Sequence, residues 1–191
     1  FRNPTKPSGR ALPKEDAERF ARSEGWAIKE VSPGKFRRVV ASPIPRHIME
    51  IKTIRRCVAA GDLVVVCGGG GVPVVQDPVH GMRGVRAVID KDLASGLLAA
   101  ELDAHMMMIL TNVDRVSIDY GKPTERSLAR MTLVQAQRFM DEGQFPAGSM
   151  GPKVQGAINF LQASRNGDAS VIIGPLHHAI DAVAGRIGTR I

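Results

Sequence analysis

Residues 62–75 have the sequence DLVVVCGGGGVPVV, in which a short apolar run leads directly into four glycines. The continuous apolar run at residues 63–67 predicts a strand buried on both faces, as in a parallel sheet. Glycines carry no Cβ, so several in succession let backbone N–H groups approach an anion. The loop is therefore predicted to bind phosphate or substrate through Gly68, Gly69, Gly70 and Gly71. A flexible turn is the alternative, but ordering four glycines costs chain entropy that an unused turn would not recover.

The glycine run matches neither of two common phosphate-binding signatures. No Gly-Lys-Ser or Gly-Lys-Thr follows it, so it is not a Walker loop, and it lacks the G-x-G-x-x-G spacing with a following acidic residue. The loop therefore does not define a reaction, and other motifs have to supply the chemistry.

The segment VIDKDLASGLLAAEL, residues 88–102, places three charged residues where a strand is predicted to end and a helix to begin. Helix capping alone would explain Asp90 or Asp92. Lys91 is not explained as a cap, because a cation is unfavourable at the positive end of a helix. A bound phosphate would compensate for that placement. We therefore predict a catalytic role for Lys91, with Asp92 orienting a lysine or Mg²⁺.

Two further motifs follow predicted strands or open helices. LTNVDRV, residues 110–116, ends an apolar strand with Asp114 at the edge where open α/β folds bind ligands, although an Asx-type turn would also explain it. GSMGPKVQGAINF, residues 148–160, predicts a helix with Pro152 as its first residue. Free amides at such an N-terminus and the mobile charge of Lys153 would suit a phosphate.

Residues 1–42 are rich in proline, glycine and charge, and predict a small flap subdomain with a helix and a β-hairpin. The helix is predicted over residues 14–25, where it ends at Gly25, and the hairpin over residues 26–31 and 35–40 around Ser32-Pro33-Gly34. Lys6, Arg38 and Ser42 would let this flap carry cations and a hydroxyl over a phosphorylated substrate. A basic surface without a specific ligand is the alternative reading.

Strands and helices alternate from residue 43 to residue 191, which predicts the nucleotide-binding part of an α/β domain. Helices are predicted at residues 45–61, 91–102, 133–141, 152–164 and 176–184, and strands at 106–110, 170–173 and the final GTRI, with a hairpin after the glycines. This order predicts an α/β/α sandwich of three layers around a mostly parallel sheet.

Bulk composition narrows the class of function. A net charge of +7 and a pI of about 9.9 suit an anionic partner, either phosphate or nucleic acid. One Trp, one Tyr and six Phe are too few and too scattered for a base-stacking platform, which argues against nucleic acid. Two cysteines make no disulfide framework, and no long apolar run predicts a membrane span. A cytoplasmic enzyme is therefore expected.

Taken together, the motifs resemble those of the carbamate kinases, a branch of the amino-acid kinase family. They occur in the same order and spacing along essentially the whole chain: NPTKP, RRVV-SP-P, GGGGVPV, AVIDKDLA, ILTNVD, YGKP, AGSMGPKV and GT-R. The resemblance implies phosphate transfer between ATP or ADP and carbamate or carbamoyl phosphate, with Mg²⁺, a homodimeric assembly and no covalent intermediate. Catalysis would then rest on positioning and charge neutralisation.

The resemblance also implies roles for individual residues. Lys91, Asp92, Lys153 and Lys6 match catalytic or phosphate-contacting residues of the family, and Gly68, Gly69, Gly70 and Gly71 match its substrate-side loop. The nucleotide pocket would be lined by Asp114, Tyr120, Met150 and Lys153. Ser117 stands where relatives tend to carry a tyrosine, so the packing beside adenine is expected to differ.

The N-terminal third of the family is not seen in these 191 residues, including its first strand and first glycine-rich loop. The 191-residue chain by itself is therefore expected to be inactive and to bind nucleotide weakly. Two alternatives to a carbamate kinase follow from the same motifs. One is another acyl-phosphate kinase of the amino-acid kinase family, and the other is a non-catalytic nucleotide-binding subunit.

Overall fold

A computed structural model describes residues 4–191 of the chain, and these residues form two compact units. The first unit contains the described residues up to Ile44 together with residues 69–90, and the second contains residues 45–68 and 91–191. The predicted division placed the boundary after residue 42. The structure differs in assigning residues 69–90, which follow the first glycine of the loop, to the same unit as the N-terminal residues.

The first unit is built on antiparallel strands. Its three-stranded sheet has the order β1-β3-β2, one helix follows β1, and a separate hairpin lies after the glycines; the elements are β1 (Lys6–Pro13), α1 (Lys14–Glu24), β2 (Ala27–Ser32), β3 (Lys35–Val40), β4 (Val74–Asp77) and β5 (Gly81–Gly84). Gly25 ends α1 in the left-handed conformation, with a φ of 65° that suits glycine. The helix and the hairpin that the sequence predicted are present, and their role as a flap stays a prediction.

The second unit alternates helices with strands. Its elements are α2 (Ile51–Ala59), α3 (Lys91–Glu101), β6 (Met106–Thr111), β7 (Val116–Ile118), β8 (Arg126–Leu128), α4 (Leu133–Asp141), α5 (Met150–Ala163), β9 (Ser170–Pro175), a 3₁₀ turn (Leu176–His178), α6 (Ala179–Val183) and β10 (Thr189–Arg190). Strands β6 and β9 pair in parallel, and β10 adds to β9 in the antiparallel sense. Among the described residues, none of the helices combines the length and the apolar character that crossing a bilayer requires.

The core of the second unit surrounds β9. Successive residues from Val171 to Pro175 are buried, and neighbouring residues of a strand point to opposite faces, so both faces of β9 are covered. Helices α5 and α6 pack against this strand, and Ile158, Phe160 and Ile173 are fully enclosed. The α/β class of the prediction is confirmed by this alternation of buried strands and helices. The complete three-layer sandwich remains a prediction.

The strand predicted at residues 63–67 is wrong. These residues have no regular structure, and Leu63 and Val65 are 96% and 92% exposed. An apolar run becomes a strand only when a neighbouring strand takes up its backbone hydrogen bonds, and no described strand pairs with it. Cys67, with a φ of 65°, turns the chain sharply at the end of the run.

The helix that carries Lys153 begins two residues before the predicted start. Its first residue is Met150, so Pro152 is the third residue and not the first. Proline is accepted there because the first four N–H groups of a helix have no partner within the helix. The predicted helix 133–141 has the observed bounds of α4, and Thr132 and Gln135 form a capping box at its start.

Helices α3 and α5 run in the same direction and touch through glycines. Lys153 pairs with Asp92 near the two starts, and Arg165 pairs with Asp103 beyond the two ends. Between these pairs, a Cβ on Gly96 would lie 3.1 Å from the carbonyl carbon of Gly156. A Cβ on Gly156 would lie 3.0 Å from the carbonyl carbon of Asp92. The two backbones are therefore as close as glycine allows.

We expect Gly156→Ala to destabilise the second unit. Alanine gains about 1 kcal/mol over glycine in a helix, whereas overpacking costs about 1–3 kcal/mol, here at the upper end because backbone atoms cannot rotate away. The expected net loss in the free energy of unfolding is about 1–2 kcal/mol, measured by urea titration with helical circular dichroism. Gly167→Ala is the control, because its added Cβ meets nothing within 4 Å. An unchanged midpoint for Gly156→Ala would contradict the close contact.

Candidate active site

The first unit holds a lysine–aspartate pair. Lys6 begins β1, opposite Val40 of β3, and its ammonium group donates a hydrogen bond to the Oδ2 atom of Asp90. The Asp90 side chain is 9% exposed and the Lys6 side chain 33% exposed, so the charges meet at the edge of the interior. Asn3 of the NPTKP motif lies outside the described residues. The pairing fixes the ammonium group of Lys6, which the sequence predicted to be a phosphate-contacting cation.

The glycine loop is ordered by a close backbone approach. Gly68, Gly70 and Gly71 have positive φ values of 44°, 128° and 84°, whereas Gly69 does not. A Cβ on Gly70 would lie 2.8 Å from the carbonyl carbon of Ile89 and closer still to its oxygen. Gly70 therefore lets the loop pass directly against the residue that precedes Asp90. The chain leaves the second unit between Gly68 and Gly69.

The second unit holds another lysine–aspartate pair. Lys153 Nζ donates a hydrogen bond of 2.7 Å to Asp92 Oδ2, and the two side chains are only 15% and 10% exposed. Lys91 Nζ lies 3.9 Å from Asp92 Oδ1 and is 60% exposed, so Asp92 faces one enclosed and one exposed lysine. Asp92 is the second residue of α3 and Lys153 is the fourth residue of α5.

Several positive groups lie beside Asp92 in the second unit. Because α3 and α5 run in the same direction, the positive ends of two helix dipoles point the same way beside Asp92. Two lysines and two helix N-termini carry more positive charge than the one buried carboxylate of Asp92 offsets. This excess of positive charge suits an anion with several oxygens, such as a phosphate chain.

Two predicted substrate residues lie in the first unit. Arg38 lies on β3 with its guanidinium carbon 5.0 Å from the centre of the Trp26 ring, so it stacks on an aromatic side chain. Ser42 is half-buried and follows Ala41, which forms a β-bridge with Ala87. Their assignment to the substrate stays a prediction.

The predicted nucleotide residues lie in the second unit. Asp114 is exposed in the turn after β6, Tyr120 is 70% exposed after β7, and Met150 packs at the edge of the core. Next to Tyr120, a hydrogen bond from Lys122 lowers the pKa of Asp119, and an N–H of Asp119 donates to Gln144. The turn at Tyr120 is therefore held in place, and its assignment to the nucleotide stays a prediction.

Cys67 is not placed to act as a nucleophile. Burial, followed by the nearby charge of Glu50, raises the pKa of the Cys67 thiol, so it stays protonated at neutral pH. A thiol is a much weaker nucleophile than a thiolate. Cys67 is half-buried beside the glycine loop, and a protonated thiol there is suited to packing.

The described residues do not gather a metal site of their own. Within residues 4–191, no group of three or more His, Cys, Asp or Glu side chains is arranged to hold a metal ion. Asp90 and Asp92 each face a lysine. Mg²⁺ commonly binds through one or two carboxylates together with substrate phosphates, so these residues fit the ion only with a nucleotide present.

Three features of the structure were not predicted from the sequence. The pairing of Lys6 with Asp90 joins residues 84 positions apart, and no local pattern marks it. Gly96 and Gly156 look like ordinary helix residues in the sequence. Thr189 is fully buried, accepts a hydrogen bond from the N–H of Val116 and donates one to the carbonyl of Leu128, which ties the end of the chain to β7 and β8. The available sequence signal for Thr189 was a small polar residue inside the GT-R motif near the end of the chain.

Comparison with known proteins identifies the family of the chain. The model of the amino acid kinase family matches residues 18–174, and the chain belongs to the amino acid kinase family. It is 45% identical over 191 residues to a carbamate kinase of Haemophilus influenzae, and 43% identical to one of Pyrococcus horikoshii. These alignments cover the whole of this chain and 59% and 60% of the two relatives. The chain thus spans about 60% of the length of the relatives it matches.

The same likeness holds in three dimensions. The solved structure of a carbamate kinase from Giardia lamblia bound to AMP-PNP matches with a TM-score of 0.87 and 42% identity. That match covers 100% of this chain and 60% of the Giardia chain. The AMP-PNP is a feature of the Giardia protein.

Proposed function

We propose that this chain carries part of the machinery for transferring phosphate between ATP and carbamate, giving ADP and carbamoyl phosphate, or the reverse. The observation that carries the proposal is the enclosed Lys153–Asp92 pair at the N-termini of two helices that run in the same direction. Relatives named carbamate kinases, at 43–45% identity, support the choice of carbamate as the acceptor.

Phosphoryl transfer needs little covalent chemistry from the protein. The transition state spreads negative charge over the phosphoryl oxygens, and positioned cations lower its energy. We assign Lys153 and Lys91 to these oxygens, with Asp92 accepting a hydrogen bond of 2.7 Å from Lys153 and offsetting part of the charge of the two lysines. When phosphate binds, Lys153 can share its protons between Asp92 and the ligand, since an ammonium group has three donors.

The remaining assignments follow the family. Lys6, fixed by Asp90, is proposed to contact the transferred group from the flap subdomain, and Gly68, Gly69, Gly70 and Gly71 are proposed to bind the carbamate side. Asp114, Tyr120 and Met150 are proposed to bind the nucleotide. Mg²⁺ is proposed to arrive with the nucleotide phosphates, because the described residues do not form a metal site alone.

The finer features of the fold and assembly belong to the same proposal. We propose a three-layer α/β/α sandwich with a mostly parallel sheet, supported by the parallel pairing of β6 with β9 and by the burial of both faces of β9. A homodimer and a cytoplasmic location are proposed from the resemblance to the family.

The decisive experiment is a coupled assay of ATP formation from carbamoyl phosphate and ADP. It is run on the natural polypeptide that contains these residues and on the 191-residue chain alone, each with Lys91→Ala and with Lys52→Ala. Lys91→Ala is expected to reduce kcat in the natural polypeptide by about 10³-fold, in the range seen when a transition-state contact is removed. Lys52→Ala, an exposed lysine on α2, is expected to leave it unchanged.

Two results would redirect the proposal. A folded, nucleotide-binding protein that phosphorylates N-acetylglutamate and not carbamate would be another acyl-phosphate kinase of the family. A folded protein that binds ATP and transfers to neither acceptor would be a non-catalytic subunit.

A further inference from the structure

The geometry points to a second ligand site in the first unit, built to hold a small organic carboxylate. The site is a cavity of about 210 Å³ between β1, α1, β3 and Trp26, the residue before β2. Both of its cations, Arg10 and Arg38, and all of its walls belong to the first unit. The inference therefore does not rest on the proposed phosphoryl transfer.

The cavity owes its shape to a bulge in β1. Between the pairs Ser8–Arg38 and Leu12–Phe36, β1 has three residues where β3 has only Arg37. Gly9, within the bulge, has a φ of 72°, and a Cβ there would meet nothing within 4 Å. The bulge turns Gly9 and Arg10 out of regular pairing and brings both into the cavity wall.

One side of the cavity is aromatic. Trp26 and Phe20 stack with their ring centres 4.7 Å apart and their planes at 15°, and both line the cavity together with buried Leu12. Both residues are half-buried, and the guanidinium groups of Arg19 and Arg38 lie over the Phe20 and Trp26 rings, so a ligand would contact the exposed remainder of the rings. This wall would take up the apolar body of a small molecule.

Two cations also line the cavity, and neither is balanced by an acidic side chain among the described residues that line it. Arg38 is half-buried, with its guanidinium 5.0 Å from the Trp26 ring centre, and Arg10 is exposed at the mouth of the cavity. In the part of the chain that the structure describes, neither guanidinium forms an ion pair, whereas Arg19 and Arg22 on neighbouring α1 both pair with acidic residues. The guanidinium of Arg38 lies over the Trp26 ring, and its planar fork of donors suits a carboxylate as a partner.

The ligand class follows from size and chemistry. The cavity is smaller than the roughly 300–1,000 Å³ of pockets for drug-sized molecules. An inorganic phosphate would satisfy the arginines but leave the aromatic wall unused. A carboxylate on a small planar or apolar body, such as benzoate, would use both sides. This gives Arg38 a ligand other than the phosphorylated substrate that the sequence predicted.

Trp26 makes the inference directly testable, because it is the only tryptophan of the chain and lines the cavity. The natural polypeptide is titrated with sodium benzoate, with inorganic phosphate and with sodium chloride at equal ionic strength, while tryptophan fluorescence is recorded. If the natural polypeptide holds a tryptophan outside these residues, that residue is first replaced by phenylalanine. Benzoate is expected to give a saturable change, and chloride none.

Two substitutions test whether the fluorescence change arises from binding in the cavity. Arg10→Gln and Arg38→Gln are each expected to weaken benzoate binding by about 10–100-fold, the range for losing a hydrogen bond to a charged group. Arg22→Gln, on α1 and outside the cavity lining, is the matched control and should leave binding unchanged. Since Arg38→Gln also alters the surroundings of Trp26, binding is measured in parallel by saturation-transfer NMR of benzoate.

Three results of these measurements would overturn the inference. No saturable change in the folded protein, or benzoate binding that survives both cavity substitutions, would overturn the inference. A response to phosphate equal to that of benzoate would also overturn it, because the aromatic wall would then contribute nothing. None of these results depends on kinase activity, so the failure of either proposal leaves the other open to its own test.

Discussion

Removing one member of the Lys153–Asp92 pair is expected to reduce both stability and phosphate transfer, and removing both members is expected to restore only the stability. Lys153→Met leaves the carboxylate of Asp92 enclosed, with Lys91 at 3.9 Å as its remaining nearby lysine. Breaking a buried ion pair from one side costs about 3–5 kcal/mol. Because Lys91 remains, we expect about 2–4 kcal/mol for Lys153→Met, measured by urea unfolding with helical circular dichroism.

The double variant separates folding from chemistry. Asp92→Asn combined with Lys153→Met removes both charges, so neither is left buried alone, and replacing a whole buried pair is often nearly neutral. We therefore expect at least half of the lost stability to return. Activity is expected to stay about 10²–10³-fold below that of the unchanged protein, because the cation aimed at the phosphoryl oxygens is still missing.

The other end of the same two helices supplies the control. Arg165 donates to Asp103 from an exposed position, and this hydrogen bond lowers the pKa of the Asp103 carboxyl. Arg165→Gln is expected to leave kcat unchanged, since exposed ion pairs contribute little to stability. If activity in the Asp92–Lys153 double variant recovers together with stability, the pair is structural, and the proposed role of Lys153 in phosphate transfer is wrong.

Signals carried by a few neighbouring residues were sufficient to predict most of the helices and strands. The proline before α1, Gly25 after it, and the Ser32-Pro33-Gly34 turn between β2 and β3 are all properties of a few neighbouring residues, and the structure confirms the elements they bound. The predicted bounds of α4 match the observed ones, and a capping box formed by Thr132 and Gln135, three positions apart, fixes the start of this helix.

Features that depend on distant residues were not predictable in the same way. The run at residues 63–67 has the composition of a buried strand but no described strand beside it, so its composition alone was misleading. Lys6 and Lys153 were recognised as phosphate-contacting cations, yet nothing in the sequence specified that each would pair with its own aspartate of the DKD motif, across 84 and 61 positions. Residue types thus identified candidate chemistry, whereas the geometry came from the packing of helices and strands.

A graded series of alanine substitutions in the glycine loop is expected to separate the glycines that the fold requires from the one that it does not. Gly70→Ala combines two penalties. A φ of 128° strains a residue with a Cβ by about 1–3 kcal/mol, and the overlap with the backbone of Ile89 costs about 1–3 kcal/mol more. Reduced freedom of the unfolded chain returns about 0.4–1 kcal/mol. The expected net loss in the free energy of unfolding is about 2–4 kcal/mol.

The two neighbouring glycines provide matched controls for that value. Gly71→Ala carries only the conformational penalty of a φ of 84°, since its Cβ would meet nothing within 4 Å, and we expect a loss of about 1 kcal/mol. Gly69→Ala carries neither penalty and should change stability by no more than about 0.5 kcal/mol. Trp26 lies in the same unit as these three residues, so its fluorescence during urea unfolding reports on the relevant part of the chain.

Activity measured on the same variants tests the function of the loop independently of its folding. If backbone N–H groups of the loop bind the carbamate side of the substrate, a methyl group on Gly69 would obstruct the approach of the ligand while the loop keeps its shape. Gly69→Ala is then expected to raise the KM for carbamoyl phosphate with stability unchanged. Equal kinetics for Gly69→Ala and the unchanged protein would remove Gly69 from the proposed substrate contacts. A stable Gly70→Ala variant would show that the approach of the loop to Ile89 is not required by the fold.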